Sequence, residues 1–183
     1  MGRIQTADGR SDLQVQFAER HASGCLLEID AWIPSETKAI SPLVDRLIRL
    51  IEGSRCVPGK EPAVELALRE ALNNAVVHGN RMDAHKFVQV RCRCGLGKGL
   101  SIIVRDQGQG FDPNAIPDSV AVKNLEAEHG RGIYLMKVSM DTVSFERGGT
   151  EVHMWKGRDP TPEQKCKMPN EFFRSLGVRG RTC

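Results

Sequence analysis

Three short stretches of the sequence combine polar side chains with glycine in patterns that suit a phosphate-bearing ligand. In the first, Glu70, Asn74 and His78 are spaced four residues apart, so on a helix they form one polar stripe. A buried carboxylate is costly without a polar neighbour, and a glutamate one turn before an asparagine supplies a base and a neutral oxygen ligand for Mg²⁺. Taken alone, the stripe is better explained as a polar rim at the helix surface.

The second and third stretches are rich in glycine. Asp106-Gln107-Gly108-Gln109-Gly110 places an acid at the end of a predicted strand, before two glycines that permit close approach of the backbone to a ligand. An aspartate at this position can accept a hydrogen bond from an exocyclic amine. Gly130-Arg131-Gly132 opens a predicted helix, whose first N–H groups and dipole favour an anion. Each stretch alone also fits an ordinary glycine turn or helix start.

Hydrophobic periodicity indicates the elements that position these stretches. Alternation predicts strands over residues 27–34, 88–94, 100–105, 142–147 and 150–156, and helical spacing predicts helices over 35–53, 62–79 and 132–140. Ser35 is the predicted cap of the first helix, and Gly148-Gly149 the turn of the last hairpin. The order predicts an α+β fold, a two-layer α/β sandwich with a mixed, mostly antiparallel sheet and helices on one face.

Length and composition predict a single ordinary globular domain. The chain has 183 residues, of which 40% are hydrophobic and 27% charged. We expect an N-terminal arm over 1–24, the domain over 25–157 and a C-terminal extension over 158–183. A net charge of +3 is too small to indicate a nucleic-acid partner, and no apolar run reaches the ~20 residues that span a bilayer. We therefore expect a cytoplasmic protein without a membrane or nucleic-acid partner.

The six cysteines carry no metal-site signature. They form no C-x-x-C pair and lie near no clustered histidines, which argues against a zinc site and a secreted disulfide framework. We expect reduced thiols. The glycine-containing segment between Gly53 and Lys60 does not fit the P-loop pattern, so that phosphate-binding device is excluded there.

In combination, the three stretches resemble the ATP-binding boxes of the GHKL superfamily, the Bergerat fold, which includes DNA gyrase, histidine kinases and MutL. The likeness covers about residues 25–157 and implies binding of ATP or ADP with Mg²⁺. Four segments carry it. The first box is Glu70 to Asn80, the second box is Asp106 to Gly110 and the third box is His129 to Ile133. The fourth segment is the terminal strand Gly149-Thr150-Glu151-Val152.

Within that superfamily, the chain is most similar to the anti-sigma-factor serine kinases of the RsbW and SpoIIAB type. The shared marks are the E-A-x-x-N-A-x-x-H-G helix, and a G-R-G-I-x-L-M box leading to D-x-V. The resemblance implies a serine/threonine kinase that phosphorylates an anti-anti-sigma (STAS-type) protein and sequesters a sigma factor or a similar regulator. It also implies a possible homodimer.

The resemblance implies a role for each candidate residue. Glu70 would be the general base toward a substrate serine hydroxyl, and Asn74 would hold Mg²⁺ against the phosphates. Asp106 would bind the adenine amine with support from Thr150. The other implied nucleotide contacts lie in glycine-containing turns: Gly108, Gly110, Gly130, Arg131 and Gly132. Arg131, His129 and Lys123 are alternative sources of positive charge near the γ-phosphate, and we prefer His78 as a helix-end residue.

Two other functions stay open at this stage. The domain can be a nucleotide-binding partner switch without kinase activity, because this fold binds ATP and can still only hold a partner. It can also be a histidine-kinase-like ATPase domain separated from its sensor. Against the latter, the third box lacks the usual second glycine pair, and the chain shows no helical hairpin with a phospho-acceptor histidine.

Overall fold

The computed structural model describes residues 16–20, 25–95, 99–112 and 131–159. Within these ranges the elements are β1 (Gln16–Arg20), β2 (Cys25–Pro34), α1 (Ile40–Ser54), α2 (Glu61–Asn73), β3 (Phe87–Gly95), β4 (Gly99–Arg105), α3 (Arg131–Ser139), β5 (Thr142–Glu146) and β6 (Glu151–Lys156). No helix among them is long and apolar enough to cross a membrane. The predicted arm before residue 16 and the extension from 160 onward lie outside the described residues.

The strands form one six-stranded sheet in the order β1-β2-β3-β4-β6-β5. The predicted two-layer α/β fold is confirmed, but the mixed sheet is not. Every pairing of described strands is antiparallel. Two helices separate β2 from β3, and β3 pairs antiparallel to β2. β4 and β5 run in the same direction, but β6 lies between them.

One layer of helices covers one face of the sheet. The inward side chains of β2, β3, β4 and β6 are buried in a single cluster with the apolar faces of α1 and α2. The largest fully buried side chains include Ile29, Ile33, Leu43, Leu47, Ile51, Leu68, Leu72, Leu100, Ile102, Met136 and Met154. The opposite face of the sheet carries cross-strand ion pairs such as Arg93–Glu28 and Arg91–Asp30. The apolar face of α2 is therefore held in the core.

Two expectations about the first half of the chain are wrong. The sequence predicts that ordered structure begins near Cys25, whereas Gln16–Arg20 forms edge strand β1 against β2. An edge strand is held through backbone hydrogen bonds, so it needs no alternating pattern. Ser35 does not cap a helix: it is buried with an unpartnered Oγ, and a 3₁₀ turn (Thr37–Ala39) follows Glu36 before α1.

The cysteine expectation is wrong for one pair. Cys56, in the connection between α1 and α2, is joined by a disulfide to Cys94 of β3, with their Cα atoms 5.9 Å apart. Cys92 is a free, buried thiol. The two bonded cysteines are 38 positions apart in sequence, and only the packing of the loop against the sheet brings them together.

Candidate functional site

A cavity of about 340 Å³ opens between α2, α3 and the end of the sheet formed by β4, β5 and β6. All three sequence stretches contribute to it. Its polar and glycine lining comes from Asn74, His78, Gly79, Asp106, Gly110, Gly132, Gly149 and Thr150. Its apolar lining comes from Ala71, Ala75, Val104, Phe111, Ile133, Met136, Phe145 and Val152. The lining thus combines apolar side chains with a few polar groups, as expected of a small-molecule site.

The predicted helix over 62–79 exists, but its last part is not α-helical. After Asn73 the chain continues as a π-helical segment, Asn74–Gly79. The backbone N–H of Asn80 bonds to the carbonyl of Ala75, five residues back, at 2.8 Å. π-Helical turns are rare and frequently occur at functional sites. This one forms the part of the helix that lines the cavity, and the exposed His78 lies within it.

At one end of the cavity, α3 abuts the polar stripe of α2. A Cβ atom built on Gly132, in the first turn of α3, would lie 2.8 Å from Glu70 Oε2 and 3.3 Å from Asn74 Oδ1. A helix N-terminus therefore meets a carboxylate and an amide oxygen at one place, where its N–H groups favour an anion. Arg131 is exposed at the start of α3. The predicted contact Gly130 lies outside the described residues, as do His129 and Lys123.

Asp106 lies at the other end of the cavity, directly after β4. Its backbone N–H donates to the carbonyl of Thr150 at 3.0 Å, and its Oδ1 accepts the N–H of Gly108 at 2.7 Å. Burial raises the pKa of Asp106, although the Gly108 N–H and the charge of Lys86 act in the opposite direction. A partly dehydrated carboxylate in a cavity gains strongly from a donor on the ligand, so the position suits recognition of an amine.

Two residues that pack against the Asp106 side chain have to be glycines, because there is no room for a larger residue. A Cβ on Gly79 would lie 2.5 Å from Asp106 Cγ, and a Cβ on Gly108 would lie 2.9 Å from Asp106 Oδ1. Gly110 has a φ of +73°, a backbone conformation that favours glycine. A side chain at Gly108 would thus collide with the Asp106 carboxylate, whereas at Gly110 the backbone conformation itself favours glycine.

Thr150 meets Asp106 through its main chain. Its carbonyl accepts the Asp106 N–H, while its hydroxyl donates to the carbonyl of Arg147 at 3.0 Å within its own turn. Sequence reasoning missed Phe111 and Phe145, whose rings meet edge to face at 5.2 Å and line the cavity. Phe111 directly follows the second glycine stretch, and that adjacency was the available signal.

The residues present fit a magnesium–nucleotide. Within the described ranges there is no group of three or more His, Cys, Asp or Glu residues able to hold a metal ion. Mg²⁺ bound with a nucleotide does not need one, because it takes one or two protein oxygens and completes its shell with phosphates and water. Asn74 Oδ1 supplies such an oxygen next to the first turn of α3, and the Glu70 carboxylate lies near the same glycine, Gly132.

The architecture and this cavity define a nucleotide-binding α/β domain. The family described as histidine kinase-like ATPase domain matches residues 33–156, and the chain belongs to that family. The matched region begins within β2 and ends with β6, so it contains every described residue of the cavity. Membership confirms the GHKL superfamily and ATP binding as the general function. A comparison with curated proteins gives no match.

Proposed function

We propose that this ATP-binding domain is a Mg²⁺-dependent serine/threonine kinase of the anti-sigma-factor type. The observation that carries the proposal is the contact of α3 with the polar stripe of α2. There the Glu70 carboxylate and the Asn74 amide oxygen lie beside Gly132, at the helix terminus that favours phosphate. A base and a metal ligand at a phosphate-binding terminus are the parts that phosphoryl transfer requires.

In this proposal the residues of the chain divide the chemistry between the two ends of the cavity. Glu70 accepts the proton of a substrate serine hydroxyl, whose oxygen bonds to the γ-phosphorus as the bond to the bridging oxygen breaks and ADP leaves. Asn74 donates an oxygen to Mg²⁺, which neutralises phosphate charge when bound. Asp106 holds the adenine amine, and the first turn of α3 orients the phosphates through its N–H groups.

The proposed substrate is a small anti-anti-sigma protein of the STAS type, and the proposed captive is a sigma factor or a similar regulator. The similarity of the helix and the third box to the RsbW and SpoIIAB kinases supports this assignment. A phosphate on the substrate serine would add charge and bulk at the contact surface, so the antagonist could no longer displace the regulator. Homodimerisation belongs to the same proposal.

The test pairs two neighbouring asparagines, Asn73 at the end of α2 and Asn74 at the start of the π-helical segment. The purified chain is incubated with Mg-ATP and each STAS-domain protein of its source organism, and transfer is measured as added phosphate mass on a serine. Asn74→Ala should abolish transfer, whereas Asn73→Ala, at an exposed position beside it, should leave transfer unchanged. Glu70→Gln should retain ATP binding by calorimetry and lose transfer.

Undiminished transfer by Asn74→Ala or Glu70→Gln would contradict the mechanism. ATP binding by the wild type without transfer to any STAS-domain protein would favour the nucleotide-binding partner switch. Transfer to a histidine would favour the histidine-kinase reading. These three results are separable in one experiment, because the mass shift reports transfer, its site reports the acceptor and calorimetry reports binding.

A further inference from the structure

A closed ring of hydrogen bonds lies next to Asp106. Asn80 Oδ1 accepts the backbone N–H of Gln107 at 2.8 Å, and Gln107 Oε1 accepts the backbone N–H of Phe87 at 2.7 Å. Asn80 Nδ2 closes the ring by donating to the carbonyl of Phe87 at 3.1 Å. Each of the three residues thus gives one hydrogen bond to the next and receives one.

The ring joins three segments that are distant in sequence. Asn80 directly follows the π-helical segment, Phe87 begins β3, and Gln107 is the second residue after β4. The Asn80 side chain is fully buried, whereas Gln107 is exposed. A buried amide whose oxygen and nitrogen are both engaged fixes its partners firmly, because a shift of either partner leaves a buried polar group unsatisfied.

The ring acts on the residues on both sides of Gln107. Asp106 precedes it and Gly108 follows it, and the Gly108 N–H is the group that binds Asp106 Oδ1. On the side of Gly79 there is no free space beside the carboxylate, since a side chain on Gly79 would collide with it. The Gln107 main chain therefore sets where the carboxylate of Asp106 lies relative to the cavity.

We propose that Asn80 and Gln107 are positioning residues that set the purine specificity of the cavity by holding Asp106 for a 6-amino purine. Neither side chain lines the cavity, so both act through the main chain of the turn. A hydrogen-bonding group discriminates between ligands only when it is held in place, because a mobile carboxylate accommodates ligands with and without the amine. The inference rests on the proposed role of Asp106 toward adenine.

The test compares ATP with the triphosphate of purine riboside, which lacks the 6-amino group and is otherwise the same. Gln107→Met removes the acceptor for the Phe87 N–H at an exposed position. We expect it to reduce the preference for ATP over the analogue by about tenfold, equivalent to about 1.4 kcal/mol, with the analogue's own affinity unchanged. Gln107→Glu keeps an acceptor oxygen and should keep the wild-type preference.

Asn80→Asp is the second variant, because it keeps the acceptor for Gln107 and replaces the amide that donates to Phe87 with a carboxyl oxygen, at the cost of a buried acid. It should reduce the preference for ATP in the same way as Gln107→Met. Both variants are read by calorimetry, with thermal melting as the measure of folding. If Asn80→Asp does not fold, the two Gln107 variants decide the question alone.

Equal losses of affinity for ATP and the analogue in Gln107→Met would overturn the inference, since they indicate general destabilisation of the site. An unchanged preference in Gln107→Met would overturn it as well. A wild type that binds ATP but shows no preference for it over the analogue would refute the proposed role of Asp106 itself. That result differs from failure of the ring, which requires a preference in the wild type that the variants retain.

Discussion

The carboxylate of Asp106 accepts the backbone N–H of Gly108, with 2.7 Å between the nitrogen and Oδ1. The aspartate lies at the end of β4 and lines the cavity, where burial raises its pKa despite that hydrogen bond and the charge of Lys86. Folding therefore disfavours the ionised form of Asp106. A ligand that donates a hydrogen bond to the carboxylate would offset this cost. Function and stability conflict at this residue.

Asp106→Asn should bind ATP at least about tenfold more weakly and yet melt at a higher temperature near neutral pH. A raised pKa in the folded state means that ionisation lowers stability as pH rises through the folded value. The gain in melting temperature should thus disappear at about pH 3, where the wild-type carboxyl is protonated in both states. Calorimetry and melting curves at the two pH values measure both effects. A lower melting temperature at neutral pH with ATP affinity intact would contradict the assignment.

Gly132→Ala should lower phosphate transfer by about a hundredfold, because the added methyl group would displace the Glu70 carboxylate 2.8 Å away. The matched control is Gly53→Ala in α1, where the added Cβ meets no described atom within 4 Å outside the local backbone of its own helix. The control should raise the free energy of unfolding by about 0.5–1 kcal/mol and leave transfer unchanged. Transfer assays and urea denaturation test the pair. Wild-type transfer by Gly132→Ala would show that transfer does not depend on the position of the Glu70 carboxylate.

Glu151→Gln should lower the free energy of unfolding at neutral pH by about 1 kcal/mol. Burial acts to raise the pKa of Glu151, but the hydrogen bond from His153 and the charges of His153, Arg147 and Arg105 outweigh it, so the net shift is downward. A lowered carboxyl pKa gives stability that is present above the ordinary value and lost as pH falls through the folded value.

Urea denaturation across acid pH therefore tests Glu151. The difference between wild type and Glu151→Gln should shrink as pH falls below the ordinary glutamate range, about 4.3. Glu52→Gln, at an exposed position on α1, serves as the control and should change little at any pH. A difference that grows on acidification would show that the shift has the opposite sign.

Reduction of the Cys56–Cys94 disulfide should lower the free energy of unfolding by about 4 kcal/mol, the loop-closure value for a separation of 38 residues. Urea denaturation with and without reductant measures the effect. In the native protein Cys92 should resist alkylation, since burial, with a contribution from Asp30, raises the pKa of its thiol to about 12. Mass spectrometry after alkylation of the native protein tests the prediction for Cys92. Mass spectrometry after alkylation in non-reducing denaturant tests the disulfide. Alkylation of both Cys56 and Cys94 there would exclude the cross-link.

Local sequence was sufficient for most elements of the fold. Alternation identified β2 through β6, and helical spacing identified α1, α2 and α3, because each element must bury its apolar positions on one side. The same holds for the site residues Glu70, Asn74, Asp106 and Gly132. Their types and order carry the chemistry. The structure brings Asn74, Asp106 and Gly132 to one cavity and places the Glu70 carboxylate beside Gly132.

Features that depend on distant partners were decided by the tertiary structure alone. Strand β1 is held by backbone pairing with β2, and the disulfide joins cysteines 38 residues apart. The π-helical turn at Asn74–Gly79 and the ring of Asn80, Phe87 and Gln107 form where three segments meet around Asp106. Such features require that segments distant in sequence meet, through backbone pairing, a disulfide or the hydrogen bonds of buried polar groups. That requirement leaves no periodic trace along the chain, because each partner is chosen by proximity in space and not by spacing in sequence.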